Sequence, residues 1–192
     1  MNDSGTSVRK RLLGERSLLS GKKQLEASQA VAERVVGSVP ASAGVVAGYL
    51  AHGGEVDVHS ALVALIERGW KVVLPVCGQE ASMEFAPWSP GEELRPNRYG
   101  IGEPQTNAIS IADISVVLVP GVGFDTMGNR IGHGVGFYDR FFTRCNEQGH
   151  RPLRIGIAHD LQIVELPPPA PWDVPMDRIL TPTKVIDRDL CA

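Results

Sequence analysis

The sequence predicts an α/β fold: a single domain (residues 1–192) in which helices cover both faces of a mainly parallel, Rossmann-like sheet in three α/β/α layers. Three observations carry this. Two apolar runs of strand type, Gly44 to Leu50 (GVVAGYL) and Lys71 to Val76 (KVVLPV), flank Val58, Leu62, Leu65 and Ile66, which recur at the spacing of one helix face. A second strand-helix-strand pattern runs from Ile114–Val119 to Leu153–Ala158. Strands joined by such a helical crossover lie parallel, and the crossover is right-handed. A chain of 192 residues also buries enough apolar surface to need no metal or disulfide staple.

Val8 to Gly37 consists mostly of good helix formers, interrupted at Gly14 and at Ser20-Gly21, and predicts two helices with solvated basic residues. Gly44 to Leu50 is the first strand. Asp57 is placed to cap the following helix and Gly69 to end it. Lys71 to Val76 closes the first unit. Met83 to Pro104, rich in Pro, Gly and Trp, predicts irregular structure with a short strand at Met83 to Phe85. The strand Ile114 to Val119 leads through a glycine-rich loop into a helix over Phe137 to Glu147, and Leu153 to Ala158 is the closing strand. Pro167, Pro168, Pro169 and Pro171 then impose an extended loop before Trp172.

Composition narrows the function. A net charge of −3 and a pI near 5.9 provide no broad basic surface for nucleic acid or acidic lipid. Cys77, Cys145 and Cys191 are odd in number and form no Cys-x-x-Cys pair, so reduced thiols are expected. No apolar run approaches a membrane span, and the N-terminus lacks the apolar core of a secretory signal. A cytoplasmic monomer acting on small molecules, without nucleic-acid or membrane partners, is the expectation.

The informative segment reads PGVGFDTMGNRIGHGVGFYDR, from Pro120 to Arg140. It follows a buried-looking strand and opens a helix, where free N–H groups and the helix dipole favour an anion. Gly132, Gly134 and Gly136 alternate there, which allows close approach of the backbone. The spacing matches neither a P-loop nor Gly-x-Gly-x-x-Gly, and glycine content alone fits a ligand-free turn equally well. The neighbours favour a ligand. Arg130 offers a planar fork for phosphate oxygens, Asp139 can hold a magnesium ion that bridges phosphates, and Phe137 and Tyr138 present flat faces for a ring.

The array Phe124, Asp125, Gly128, Arg130, Gly132, Gly134, Gly136, Tyr138, Asp139 and Arg140 resembles the signature of 5-formyltetrahydrofolate cyclo-ligases, also called methenyltetrahydrofolate synthetases. Glu55 and Asp57, Gly69 to Pro75, Tyr99 to Pro104, and Asp173 to Thr181 recur in the order of that family, so the resemblance spans nearly the whole chain. It implies ATP-dependent cyclisation of 5-formyltetrahydrofolate to 5,10-methenyltetrahydrofolate, with magnesium as cofactor and ATP as co-substrate. It also implies the fold type of sugar-phosphate isomerases and CoA-transferases.

By resemblance, Arg130 is the catalytic residue, and ATP is held by Arg130, Ile131, Gly132, His133, Gly134, Val135, Gly136, Phe137 and Tyr138. Arg9, Lys10 and Arg11 on the first helix are expected at the nucleotide phosphates, although Leu13 stands where the family has Arg. Leu50, Glu55 and Phe137 would hold the folate. Read by type alone, Glu55 is a solvated loop carboxylate; a carboxylate also suits the paired N–H groups of a pterin. Asp139 and Asp173 are the expected metal ligands, whereas Asp177 reads as a cap or surface pair and His159 as structural or pocket lining. Two rival readings stay open: an isomerase or transferase sharing the sheet and anion loop, and a folate- or nucleotide-binding module without turnover.

Overall fold

A computed structural model describes residues 3–188. The N-terminal region forms α1 (Asp3–Ser17) and α2 (Gly21–Ser38). Gly14, expected to interrupt a helix, lies within α1, and the break falls at Ser20, whose hydroxyl caps α2 by accepting from the Lys23 N–H. One glycine costs a helix only about 1 kcal/mol, and packing offsets it.

β1 (Val45–Ala47) is shorter than the predicted strand. It ends at Gly48, where a Cβ would sit 2.6 Å from Leu62 of α3 (His59–Glu67), so the helix crosses too closely for a side chain. The N-cap of this helix is Val58, without a side-chain cap, and Asp57, expected to cap it, lies one residue earlier, where its Oδ1 accepts from the His59 N–H at 2.8 Å. At the other end the Gly69 and Trp70 N–H groups donate to the Ile66 and Leu65 carbonyls, a Schellman closure.

β2 (Lys71–Cys77) pairs parallel to β1 and antiparallel to β3 (Met83–Trp88), which continues three residues beyond the expected Phe85. Pro87 is tolerated because β3 is an edge strand. The irregular segment that follows holds a two-strand ribbon, β4 (Arg95–Pro96) with β5 (Gly102–Glu103). Then come β6 (Val116–Pro120), the ribbon β7 (Gly123–Phe124) with β8 (Arg130–Ile131), α4 (Phe137–Glu147) and β9 (Leu153–Ile157). β10 (Arg178–Leu180) and β11 (Val185–Asp187) complete the chain, with the prolines in an extended loop before them.

The main sheet has seven strands in the order β11-β10-β9-β6-β1-β2-β3. The five central strands are parallel and each outer strand is antiparallel to its neighbour. Alternate side chains face opposite layers. Val46, Val72, Leu74, Val116 and Leu118 pack with Val31 and Val35 of α2 and Leu62 and Leu65 of α3. Ala47, Val73, Val117 and Val119 pack with Phe141, Phe142 and Cys145 of α4. The expected three layers follow, and the glycine-rich loop leaves the carboxyl end of the central strand β6 at the tip of the sheet. Cys77 and Cys145 are free thiols, as expected; Cys191 lies outside the described residues. No described helix is long and apolar enough to cross a membrane.

Candidate active site

The loop is braced by hydrogen bonds where it turns and uncapped where it meets α4. Asp125 builds the β7–β8 turn, its carboxylate accepting from the Met127 and Asn129 N–H groups and the Asn129 side chain. Gly136 then precedes α4 in the left-handed region (φ +81) and provides no side-chain cap. The first N–H groups of α4 therefore stay available, and the helix dipole adds positive potential at that end.

Arg130 folds back over this helix start. Its Nη2 donates to Asp139 Oδ2 at 2.9 Å, and its guanidinium carbon lies 5.5 Å from the centre of the Tyr138 ring. The Arg130 side chain is only 7% exposed, and its buried Nε has no acceptor among the described residues. A buried donor without a partner is costly, so an acceptor arriving here would be favoured. Ile131, Gly132, His133, Gly134 and Val135 form the open rim between Arg130 and α4.

Arg9 of α1 reaches this rim, its Nε donating to the Gly132 carbonyl at 2.8 Å. Lys10 and Arg11 are exposed instead, and Arg11 pairs with Glu15 one turn along its own helix. Of the three predicted cations, Arg9 alone bonds to the loop among the described residues.

Glu55 approaches the loop from the first strand's side. It sits in the turn after β1, where Oε2 accepts from the His52 N–H at 3.1 Å and Oε1 lies 3.7 Å from His133 Nε2. Its side chain is 10% exposed, so it is not the freely solvated carboxylate that residue type alone suggests. Its charge is felt nearby. Burial first, then Glu55, pushes the Tyr49 and Tyr138 hydroxyls well above their ordinary pKa, so both remain neutral donors at pH 7. Leu50 is half-buried and packs against the core layer of α2 and α3. Phe137 meets the edge of Tyr99 at 6.3 Å, which ties the β4–β5 segment to the start of α4. Behind that segment Glu103 accepts from Cys77 N–H and Asn97 Nδ2, and burial followed by Glu103 pushes the Cys77 thiol up to about 11. That thiol is protonated and no nucleophile.

The carboxylates proposed for metal are occupied by protein donors. Asp139 bears the Arg130 pair and a 3.5 Å contact from the Val174 N–H; Asp173 Oδ2 accepts from the Ala170 N–H at 2.8 Å and closes the proline-rich turn. No group of three or more His, Cys, Asp or Glu converges among the described residues. Asp177 is an ion-pair residue, as expected, but its main partner Arg154 is buried rather than on the surface, with contacts of 2.6 and 2.9 Å.

Reading the residues by type missed Arg16. It is 1% exposed, donates to the Gly121 carbonyl at 3.2 Å, and leaves its Nε without a partner among the described residues. A partial signal was available: Arg9, Leu12 and Arg16 share one face of α1, and that face is the one turned to the protein. An open groove of about 630 Å³ between the Gln79–Met83 segment and α4 contains none of the predicted site residues.

Known proteins share this sequence pattern and this fold. The model of the 5-formyltetrahydrofolate cyclo-ligase family matches residues 2–182. The Escherichia coli (strain K12) protein of that name is 36% identical over 176 residues, covering 88% of this chain and 96% of that protein. The 5,10-methenyltetrahydrofolate synthetase of Aquifex aeolicus, solved by NMR, has a TM-score of 0.78 at 28% identity, over 96% of this chain and 93% of that one. The synthetase of Mycoplasma pneumoniae has the same fold, with a TM-score of 0.76 at 24% identity over 93% and 98% of the two chains. With the family model matched over residues 2–182 and a relative 36% identical over most of both chains, the chain belongs to the 5-formyltetrahydrofolate cyclo-ligase family.

Proposed function

We propose that the chain converts 5-formyltetrahydrofolate and ATP into 5,10-methenyltetrahydrofolate, ADP and phosphate where the Glu55 turn meets the glycine-rich loop. The observation that carries this reading is their contact: Glu55 Oε1 lies 3.7 Å from His133, in the loop that also bears Arg130 and opens α4. A wall suited to a pterin thus adjoins a wall suited to phosphates.

The formyl group is an amide and resists attack. Its oxygen attacks the γ-phosphorus of ATP, forming an O–P bond as the bond to ADP breaks. The formyl carbon is now electrophilic. N10 adds to it and loses its proton, and the formyl oxygen departs within phosphate, leaving the methenyl bridge. Such chemistry asks for alignment, neutralised charge and excluded water. Arg130, Arg9 and the free N–H groups at the start of α4 are suited to the phosphates. Glu55, Leu50 and Phe137 are suited to orient the folate, and the Tyr99–Phe137 contact supports a β4–β5 segment that would help enclose it.

Asp139, with one oxygen only weakly engaged, and Asp173 are the candidates to hold magnesium. Two carboxylates suit an ion that keeps several waters and relies on nucleotide phosphates. Bound there, magnesium would offset phosphate charge. We propose a cytoplasmic monomer as the working assembly. The test is to follow methenyl absorbance from 5-formyltetrahydrofolate with and without MgATP: product only with MgATP is expected, and ATP-independent or absent conversion overturns the reading.

A further inference from the structure

We propose that Arg16 is a positioning residue which, with Gln162 and His159, fixes the spacing between the Glu55 turn and the glycine-rich loop; this rests on the reaction proposed above. Arg16, Gln162 and His159 are 1%, 1% and 3% exposed, so none is placed to touch substrate. They nevertheless form a closed circuit beneath both walls of the site. Arg16 Nη1 donates to the Gly121 carbonyl, at the start of the loop, at 3.2 Å. Gln162 Nε2 donates to the same carbonyl and to that of Val122, both at 2.8 Å, while its Oε1 accepts from the His159 N–H at 2.9 Å. His159 Nε2 lies 3.0 Å from the Gly54 carbonyl. A carbonyl can only accept, so the imidazole carries its proton on Nε2.

The circuit closes through Gly53 and Gly54. Both adopt left-handed φ (+56 and +80), which bends the turn back against Arg16: a Cβ on Gly53 would stand 3.7 Å from Arg16 Nη2, and one on Gly54 3.7 Å from Arg16 Cγ. Glu55 is the next residue. An apolar side chain would fill this place without the desolvation a buried guanidinium incurs, as Leu12 does one turn earlier. What the guanidinium adds is direction and charge. Burial lowers the pKa of Arg16 and the charge of Glu55 opposes that, so the two groups are electrostatic partners across the turn. ATP and formylfolate have no covalent tie before the formyl oxygen meets the γ-phosphate, and a displacement of about 1 Å can cost 10²-fold in rate.

The test compares Arg16→Met, Arg16→Lys and Gln162→Met with the wild-type chain. It reads kcat and both KM values by methenyl absorbance, normalised to sites that bind ATP, together with ATP affinity in the absence of folate by calorimetry. For Arg16→Met, kcat/KM for formylfolate is expected to fall on the order of 10²-fold while ATP affinity stays near wild type. Arg16→Lys should recover part of the loss, and Gln162→Met should fall in the same direction. If Arg16→Met does not fold, the other two variants decide. Wild-type kcat and KM per active site in the variants would reduce the circuit to scaffold and overturn the proposal. A loss in ATP affinity as large as the loss in kcat/KM would overturn it too, assigning Arg16 to the nucleotide alone. An inactive wild type would sink the proposed reaction, and this inference with it; an active wild type with unaltered variants sinks only this inference.

Discussion

Arg130 is held by Asp139 at 2.9 Å, so a phosphate entering the loop competes with a carboxylate for the guanidinium and gains the unpartnered Nε. Arg130→Ala should therefore lower kcat/KM by about 10²–10³-fold, the scale of removing one preorganised donor. Arg130→Lys should not restore it, because an ammonium lacks the planar fork. Glu55→Gln should instead raise the KM for formylfolate about tenfold, the size of one hydrogen bond to a charged group, and leave that for ATP near its wild-type value. Steady-state kinetics with each substrate varied in turn checks both, and equal effects on the two KM values would contradict the assignment. The residues of the loop were legible because their chemistry is local: glycines, an Arg and an Asp within a short run. Arg16, Gln162 and His159 were not, since their partners are distant in sequence and only the folded chain joins them.

Element by element, the long periodic segments were readable and the short ones were not. The expected span of α4 matches the observed Phe137–Glu147, because three buried residues on one face and a terminal Schellman closure define it from within. β7, β8, β10 and β11 went unseen: two or three residues carry no alternation, and only their pairing makes them strands. Phe141 is 1% exposed and packs on Phe85 at 4.9 Å, so Phe141→Ala should cost about 3–5 kcal/mol, measured by denaturant unfolding. Gly136→Ala is a different change. It places a side chain at φ +81 and, in addition to roughly 1 kcal/mol of strain, should weaken ATP binding by shifting the free N–H groups of α4. Unaltered ATP affinity in that variant would separate the helix start from the nucleotide.

Across the whole molecule, a parallel sheet with antiparallel outer strands and two apolar layers gives the loop a fixed base at the end of β6. The same framework makes stability depend on acid. Burial lowers the pKa of His159 below its ordinary 6.5. The folded state therefore binds fewer protons than the unfolded chain below 6.5, and this contribution is present above that pH and lost as pH falls through the lowered value. Burial alone would raise Asp177, but its hydrogen bonds and charge contact with Arg154 prevail and hold it below the ordinary 3.8. Its contribution is present above about 3.8 and lost in more acidic solution. Tm should fall in two stages on acidification, and Asp177→Asn should weaken the second; a Tm independent of pH between 7 and 3 would contradict both.

The central claim is that ATP activates the formyl oxygen of the folate held beside Glu55. Its most direct test is to supply 5-formyltetrahydrofolate labelled with 18O in the formyl group and examine the phosphate released as methenyl product forms. One labelled oxygen in each phosphate is the predicted result; unlabelled phosphate, formed at the same rate as the product, would contradict it.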